Sequence, residues 1–390
     1  MPIAFFEDIN GDIWLDRLWH HDLMAHTNYI SDLTVLAPRI PKSYATDPDL
    51  VKVQFPTATS LRFNALPYSH SLLSALLQTP ITAMTILASV RRVSIVHSGV
   101  VGWPFPPGLF ANPLAKILGK TLIIVVESSP WRLLKNEAAG TIKKVRARWT
   151  EAFGRWSTKV SDLSIFTSQS YLDTIGSRCT NAIVEPASWI NAENILTDDE
   201  ANNVWARKPA QLQILFAGQL VHSKGVTTLA KALKLLDDRG LVVTCAMIGA
   251  GPLKETIAQA ASQFHHVEFS LLQPKPYGRE FFELLQKYHA IVIPSLSDEQ
   301  PRMMFDAYSQ ALPVLASDTS GHRDFVKENI TGHLFTAGDA NQLAGLLERL
   351  VGALDNLQNL GQNALRLARE RTHGAMHLRR EHLIQALIKD

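Results

Sequence analysis

Residues 291–316, IVIPSLSDEQPRMMFDAYSQALPVLA, bring carboxylates to the point where a strand gives way to a helix. A short apolar strand ends at Pro294-Ser295, an acidic loop carries Asp298 and Glu299, and a helical pattern sets Asp306 in its opening turns. A helix N-terminus beginning near Pro301 and Arg302 offers unpaired N–H groups and a partial positive charge, which together hold a phosphate. Carboxylates beside it accept hydrogen bonds from hydroxyls, so the combination suits a sugar nucleotide. The plainer alternative is that Asp298 and Glu299 cap the helix.

Two further segments have a similar build. In residues 214–236, ILFAGQLVHSKGVTTLAKALKLL, a buried strand exits at Gly218, and Lys224-Gly225 precedes a helix whose apolar residues Val226, Leu229, Leu233 and Leu236 recur at helical spacing. A lysine at the mouth of a parallel sheet suits a diphosphate; a solvated surface lysine is the alternative. In residues 242–253, VVTCAMIGAGPL, another strand runs into Gly249-Ala250-Gly251. Pro252 follows directly and no third glycine completes G-x-G-x-x-G, so the dinucleotide fingerprint fails. A tight turn remains at a strand's carboxyl end, where open α/β sheets take ligands.

In this order the three segments resemble the retaining glycosyltransferases of family 4, the glycosyl transferases group 1. That family carries G-R-L-x-x-x-K-G, G-x-G-P-L and E-x7-E segments in its second domain. Here they stand as Gly218-Gln219-Leu220 with Lys224-Gly225, as Gly249 to Leu253, and as Asp298 and Asp306 with seven residues between. The resemblance implies a GT-B fold: two Rossmann-like doubly wound α/β domains facing across a cleft, with the nucleotide sugar on the second and the acceptor on the first. It also implies Lys224 on the departing diphosphate, Asp298 and Glu299 on sugar hydroxyls, and Asp306 on the ribose. The departures are Gln219 in place of the arginine and aspartates in place of both glutamates. Arg302, four residues beyond Asp298, either reaches toward the phosphates or pairs with Asp306 at i+4.

The elements that must position these residues follow a βα rhythm. At 390 residues, 46% hydrophobic and 19% charged, the chain has the length and balance of two globular domains. In the first half, strands are predicted at 32–37, 93–97, 121–126 and 164–167, with helices at 13–26, 69–88 and 112–118. Residues 184–210 are polar and read as a linker. The expected organisation is an acceptor-side domain over 1–195, a nucleotide-sugar domain over 205–370, and a terminal helix over 371–390 packing back on the first.

Loops after first-half strands supply three more candidates. Asn10-Gly11 forms a turn that lets backbone approach a ligand, or a plain turn. His97 follows a strand and either bonds a sugar hydroxyl or is satisfied by neighbouring backbone. Glu127 ends the strand TLIIVV where the resemblance expects a histidine; it either serves the transition state or is held by Ser128, Ser129 and the Trp131-Arg132 side chains.

Residues 131–159 interleave Trp131, Trp149, Phe153 and Trp156 with eight lysines and arginines. That mix suits an anionic membrane surface, or a solvated helix whose tryptophans enter the core. A net charge of +2 and no accompanying motif argue against nucleic acid. No run of about 18 apolar residues and no leader is read from the sequence, which places the chain in the cytoplasm, at most peripheral to the inner face of a membrane. Cys179 and Cys245 read as buried small hydrophobes. No Asp, Glu, His or Cys cluster has metal-ligand spacing, so neither metal nor cofactor is expected beyond the donor. The Trp19-His20-His21-Asp22 run with His26 reads as a helix face. The expected activity is retaining, metal-independent transfer of a hexose from a nucleotide diphosphate sugar to a glycan or lipid-linked acceptor. The alternative is a catalytically silent module that binds a nucleotide or glycan.

Overall fold

Buried apolar strands alternating with helices set the layout. The computed structural model describes residues 4–41, 50–56, 59–102, 105–133, 139–297 and 302–389. They divide into two units, Met1–Glu185 with His377–Asp390, and Pro186–Met376.

In the first unit the order is β1 (Phe6–Glu7), β2 (Ile13–Asp16), α1 (Arg17–Thr27), β3 (Asp32–Pro38), β4 (Leu50–Lys52), β5 (Ser60–Leu66), α2 (Leu72–Arg91) and β6 (Ile95–Gly99). There follow α3 (Gly108–Ile117), β7 (Thr121–Val126), α4 (Thr141–Val160), β8 (Leu163–Phe166), α5 (Gln169–Thr174) and β9 (Ala182–Val184). Strands β6, β7, β8 and β9 pair in parallel in that order, and β3 pairs in parallel with β5. Strand β7 is central and nearly all apolar, with Leu122, Ile123, Ile124 and Val126 fully buried, as a strand covered on both faces must be.

Strand β2 corrects the predicted helix over 13–26. Ile13 and Leu15 are buried at a period of two, in an antiparallel sheet with β1 and β4. The helix starts only after Asp16, whose carboxylate accepts from the Leu18 and Trp19 amides at 3.0 and 3.3 Å.

The second unit opens on a single 3₁₀ turn, then runs α6 (Asp198–Ala206), β10 (Gln213–Ala217), α7 (Val226–Asp238), β11 (Val243–Ile248), α8 (Lys254–Ala261), β12 (Val267–Leu272), α9 (Arg279–Leu285) and β13 (Ala290–Ile293). It continues with α10 (Met303–Ser309), β14 (Val314–Ser317), α11 (Ser320–Arg323), β15 (Gly332–Phe335), α12 (Ala340–Val351) and α13 (Leu354–Glu370). Its six strands are parallel in the order β12-β11-β10-β13-β14-β15, the 3-2-1-4-5-6 order of the Rossmann fold. Successive side chains of β10 enter opposite cores. Ile214 and Phe216 meet Leu229, Leu233 and Leu236 of α7, whereas Leu215 meets Phe305 and Tyr308 of α10.

Residues 184–210 are not a free linker. Thr197 and Glu200 form a capping box on α6, Ala201 and Trp205 are buried, and the Trp205 indole donates to the Ala311 carbonyl at 3.0 Å. The polar look of this stretch comes from the exposed face of a helix whose opposite face enters the core.

Helix α14 (His373–Lys389) belongs to the first unit from His377 onward. Its Arg379 makes a bidentate pair with Glu185, itself 2% exposed, at 2.6 and 2.7 Å. His377 lies 3.0 Å from the Asp22 carboxylate, and Ile384 packs with Ile123, Leu163 and Ile165. His373 and His377 stand i, i+4 on this helix, a spacing that the expected lack of metal-ligand patterns passes over.

Two other expectations change. Helix α2 is long and apolar enough to cross a membrane by length and composition; the serines, threonines, Gln78 and Pro80 scattered through it hide the continuity in the sequence. Cys245 is buried, but Cys179 is half-buried, its Sγ 3.2 Å from the Asn181 carbonyl.

Candidate functional site

The three motif segments meet at the carboxyl ends of β10, β11 and β13. After β10, the Gly218 amide donates to the Ile248 carbonyl and the Leu220 amide to Ala250, both at 2.9 Å. The Leu253 amide returns a bond to the Leu220 carbonyl at 3.1 Å. The loops are so close that a Cβ on Gly249 would fall 1.9 Å from the Gly218 oxygen, and one on Gly251 2.5 Å from that of Leu220. These glycines seat one loop on the other, which explains why they occur without the third glycine of a dinucleotide fingerprint.

The β10 loop is tied equally closely to the β13 loop. Lys224, half-buried, ends a 3₁₀ turn. Gly225 follows at φ +68°, and a Cβ there would lie 1.7 Å from the Pro294 oxygen. The Leu296 amide donates to the Ser223 carbonyl at 2.8 Å. Strands β10 and β13 are where the strand order reverses, so Lys224 stands at the switch point that takes ligands in such sheets. Gln219 is exposed on the same loop.

Asp306 opens α10 as expected, but its side chain is buried. The Tyr277 hydroxyl donates to it at 2.7 Å. Burial pushes the carboxyl up to about 7, outweighing the downward pull of Tyr277 and Arg302. Arg302 is exposed, with its guanidinium over the Trp189 ring at 5.1 Å, so the indole shares its charge with Asp306. Asp298, Glu299 and Pro301 lie outside the described residues.

Two buried hydroxyls at these strand ends were missed in the sequence. Among the described residues, Ser297 Oγ, after β13, and Thr319 Oγ1, after β14, have no hydrogen-bond partner. Such groups await an acceptor or a donor. Behind them, His322 is fully buried with Nδ1 2.6 Å from the Ser317 carbonyl. Thr319 belongs to a Thr-Ser-Gly run visible in the sequence. Tyr277 has no such signal, being 29 residues from the carboxylate it holds.

The remaining candidates lie in the first unit. Gly11 sits in the β1–β2 hairpin at φ +80° with open space where a Cβ would go, and Asp8 Oδ1 accepts from the Asn10 and Asp12 amides at 2.9 Å. Its glycine is demanded by the turn rather than by close approach. His97 is exposed on β6, its ring 6.0 Å from that of His26. Glu127 follows β7 with its side chain exposed, and its carbonyl accepts from Thr167 Oγ1 at 3.3 Å. Trp131 and Arg132 do not hold it: both bind Glu151, at 2.8 Å from the indole and at 3.1 and 2.8 Å from the guanidinium.

Residues 197–366 match the family model described as Glycosyl transferases group 1. The amylovoran biosynthesis glycosyltransferase AmsK of Erwinia amylovora is 28% identical over 173 residues, 42% of each chain, so the chain matches less than half the length of that relative. Sucrose-phosphate synthase from Thermosynechococcus elongatus superposes with a TM-score of 0.69 at 16% identity, covering 95% of this chain and 92% of that one. HepE from Anabaena, in complex with UDP-glucose, superposes with a TM-score of 0.60 at 14% identity over 83% and 86% of the two chains. Residues 197–366 are therefore a group 1 glycosyltransferase domain, in a chain of the GT-B fold.

Proposed function

We propose that the chain transfers a hexose from a nucleotide diphosphate sugar to a glycan or lipid-linked acceptor, with retention and without an essential metal, in the assembly of a polysaccharide. The observation that carries this reading is the meeting of the Lys224 and Pro294 loops at the switch point of the Rossmann sheet, with the orphaned Ser297 and Thr319 hydroxyls beside it. The leaving diphosphate gains negative charge as the glycosidic bond breaks, and Lys224 stabilises it. The diphosphate in turn draws the acceptor proton. Asp298 and Glu299 orient sugar hydroxyls, Asp306 the ribose, and Glu127 serves the reacting centre from the first unit. The UDP-glucose bound by HepE and the amylovoran role in the AmsK name support this donor and product class.

Contact with an anionic membrane through residues 131–159 is part of the same proposal. It is supported by Trp149 and Trp156, which are exposed on α4 with Lys143, Lys144, Arg146 and Arg148.

One observation favours the silent-module alternative: exposed Gln219 occupies the place of the family's arginine, removing one cation from the diphosphate site. Thermal shifts with UDP, GDP and ADP and then their sugars, followed by a hydrolysis assay, separate the two. Ligand at about 100 times its Kd adds about 2.7 kcal/mol of apparent stability. Stabilisation with turnover supports the transferase; stabilisation without turnover on any sugar supports the silent module.

A further inference from the structure

Helix α2 presents six large apolar side chains to solvent: Leu72, Leu73, Leu76, Leu77, Ile81 and Met84 are all more than half exposed, Leu77 reaching 73%. At 100° per residue they share one half of the helix surface, and the buried Ala75, Ile86 and Ser89 lie on the other half. No charged residue interrupts the helix before Arg91. Soluble surfaces scatter such residues singly, and a continuous stripe of this kind marks an interface.

What covers the stripe is indicated by its neighbours. Helix α3 packs against both α2 and α4. Helix α4 exposes Ile142, Val145, Trp149 and Trp156 together with six lysines and arginines, and its one acidic residue, Glu151, is occupied by Trp131 and Arg132. An apolar face beside a cationic, tryptophan-bearing face matches a bilayer with anionic headgroups. A second copy of this chain fits poorly, because pairing the same face would bring two basic α4 helices together. A membrane span is excluded by packing: Ile86 and Val90 lie in one core with Leu122 and Ile124, so drawing α2 across a bilayer would dismantle the unit.

A groove borders the buried side of the same helix. Ala75 and Thr79 line it with Leu66, Tyr68, Phe105 and Phe110. We propose that the exposed face of α2 lies in the plane of an anionic bilayer, embedded beside the basic face of α4, so that this groove receives the saccharide end of a lipid-linked acceptor. The proposal rests on the transferase reading above and narrows its acceptor to the lipid-linked class.

The test uses the full chain and sedimentation with vesicles of phosphatidylcholine, with and without phosphatidylglycerol. The parent should bind the anionic vesicles more tightly than the neutral ones, and part of that binding should persist at about 0.5 M salt, where exposed charges are largely screened. A variant carrying Leu73→Ser, Leu77→Ser, Ile81→Ser and Met84→Ser should lose the salt-resistant part by at least tenfold. Because the four positions are exposed, its melting temperature and its hydrolysis of soluble sugar nucleotide should match the parent. A milder Leu77→Ala, Ile81→Ala pair should lose less. Lys143, Lys144, Arg146 and Arg148 changed to Gln should lose the salt-sensitive part instead. Equal high-salt binding by parent and serine variant, no vesicle binding by the parent, or a parent dimer abolished by the serine variant would each overturn the docking. Failure of every sugar nucleotide to be turned over would sink the transferase reading while vesicle binding remained measurable, so the two failures are distinct.

Discussion

The Pro294 carbonyl oxygen occupies the space beside Gly225 so fully that a Cβ there would lie 1.7 Å from it. Gly225 is also at φ +68°, and Gly240 provides a control at φ +70° with nothing within 4 Å. Gly240→Ala should therefore cost only the left-handed backbone penalty, about 1–2 kcal/mol. Gly225→Ala should cost that plus the backbone clash, on the order of 3–5 kcal/mol, and should weaken nucleotide binding as the two loops separate. Urea unfolding of both variants measures the difference; equal costs would mean that the loops part freely.

Asp306 gives stability a pH dependence. Burial raises its carboxyl from an ordinary 3.8 to about 7. A raised folded-state value means that its stabilising contribution is complete below about pH 4 and lost as pH rises through about 7. Asp306→Asn keeps an oxygen for the Tyr277 hydroxyl and cannot ionise. Parent and variant melting temperatures should thus diverge between about pH 4 and pH 8, the parent falling relative to the variant. Parallel curves would refute the buried, protonated carboxyl.

Much of this was legible in the sequence because it is local. Several strands of the second unit are short apolar runs ending in glycine or proline, and their alternation with helices marks a parallel α/β sheet. Asp237 shows why the rest was not. It lies in the last turn of α7, yet its Oδ1 accepts from the His265, His266 and Val267 amides at 2.7, 2.6 and 3.0 Å, across a separation of 28 to 30 residues. No periodicity connects this histidine pair to an aspartate in a distant helix. Tyr277 on Asp306 is the same case within the site. The linker was misread because α6 buries only a few residues, among them Trp205, beneath a polar face.

The Asp237 contact has its own pH signature, of opposite sign. Although burial acts to raise it, the three amides hold the carboxyl down at about 2. A depressed folded-state value contributes stability that is present above about pH 4 and lost as pH falls through about 2. Asp237→Asn should cost on the order of 2 kcal/mol at neutral pH, the equivalent of holding the carboxyl at about 2 in place of an ordinary 3.8. The gap between parent and variant should close toward pH 2, as followed by urea melts across that range. A gap constant with pH would assign the cost to packing instead of charge.

Metal dependence tests the charge assignment in another way. If Lys224 and the buried hydroxyls meet the diphosphate as proposed, hydrolysis of the preferred sugar nucleotide should survive excess EDTA. Loss of activity with EDTA and its return with Mg²⁺ or Mn²⁺ would transfer the cationic role from Lys224 to an ion.

The final prediction pairs Lys224 with Gln219, since both lie on the loop after β10 and only one is a cation. If Lys224 meets the leaving diphosphate, Lys224→Ala should lower turnover by roughly 10²–10³, the scale for loss of one preorganised electrostatic group, with little change in melting temperature because the side chain is only half-buried. Gln219→Arg should move the site the other way. Its position is exposed, so a guanidinium fits without displacing core atoms, and a charge-assisted bond to phosphate should tighten UDP or UDP-sugar binding by about tenfold, or about 1.4 kcal/mol. Calorimetric titration of the nucleotide against both variants reads the two effects on one scale. An arginine at 219 that leaves affinity unchanged, together with an alanine at 224 that leaves turnover unchanged, would move the diphosphate off this loop.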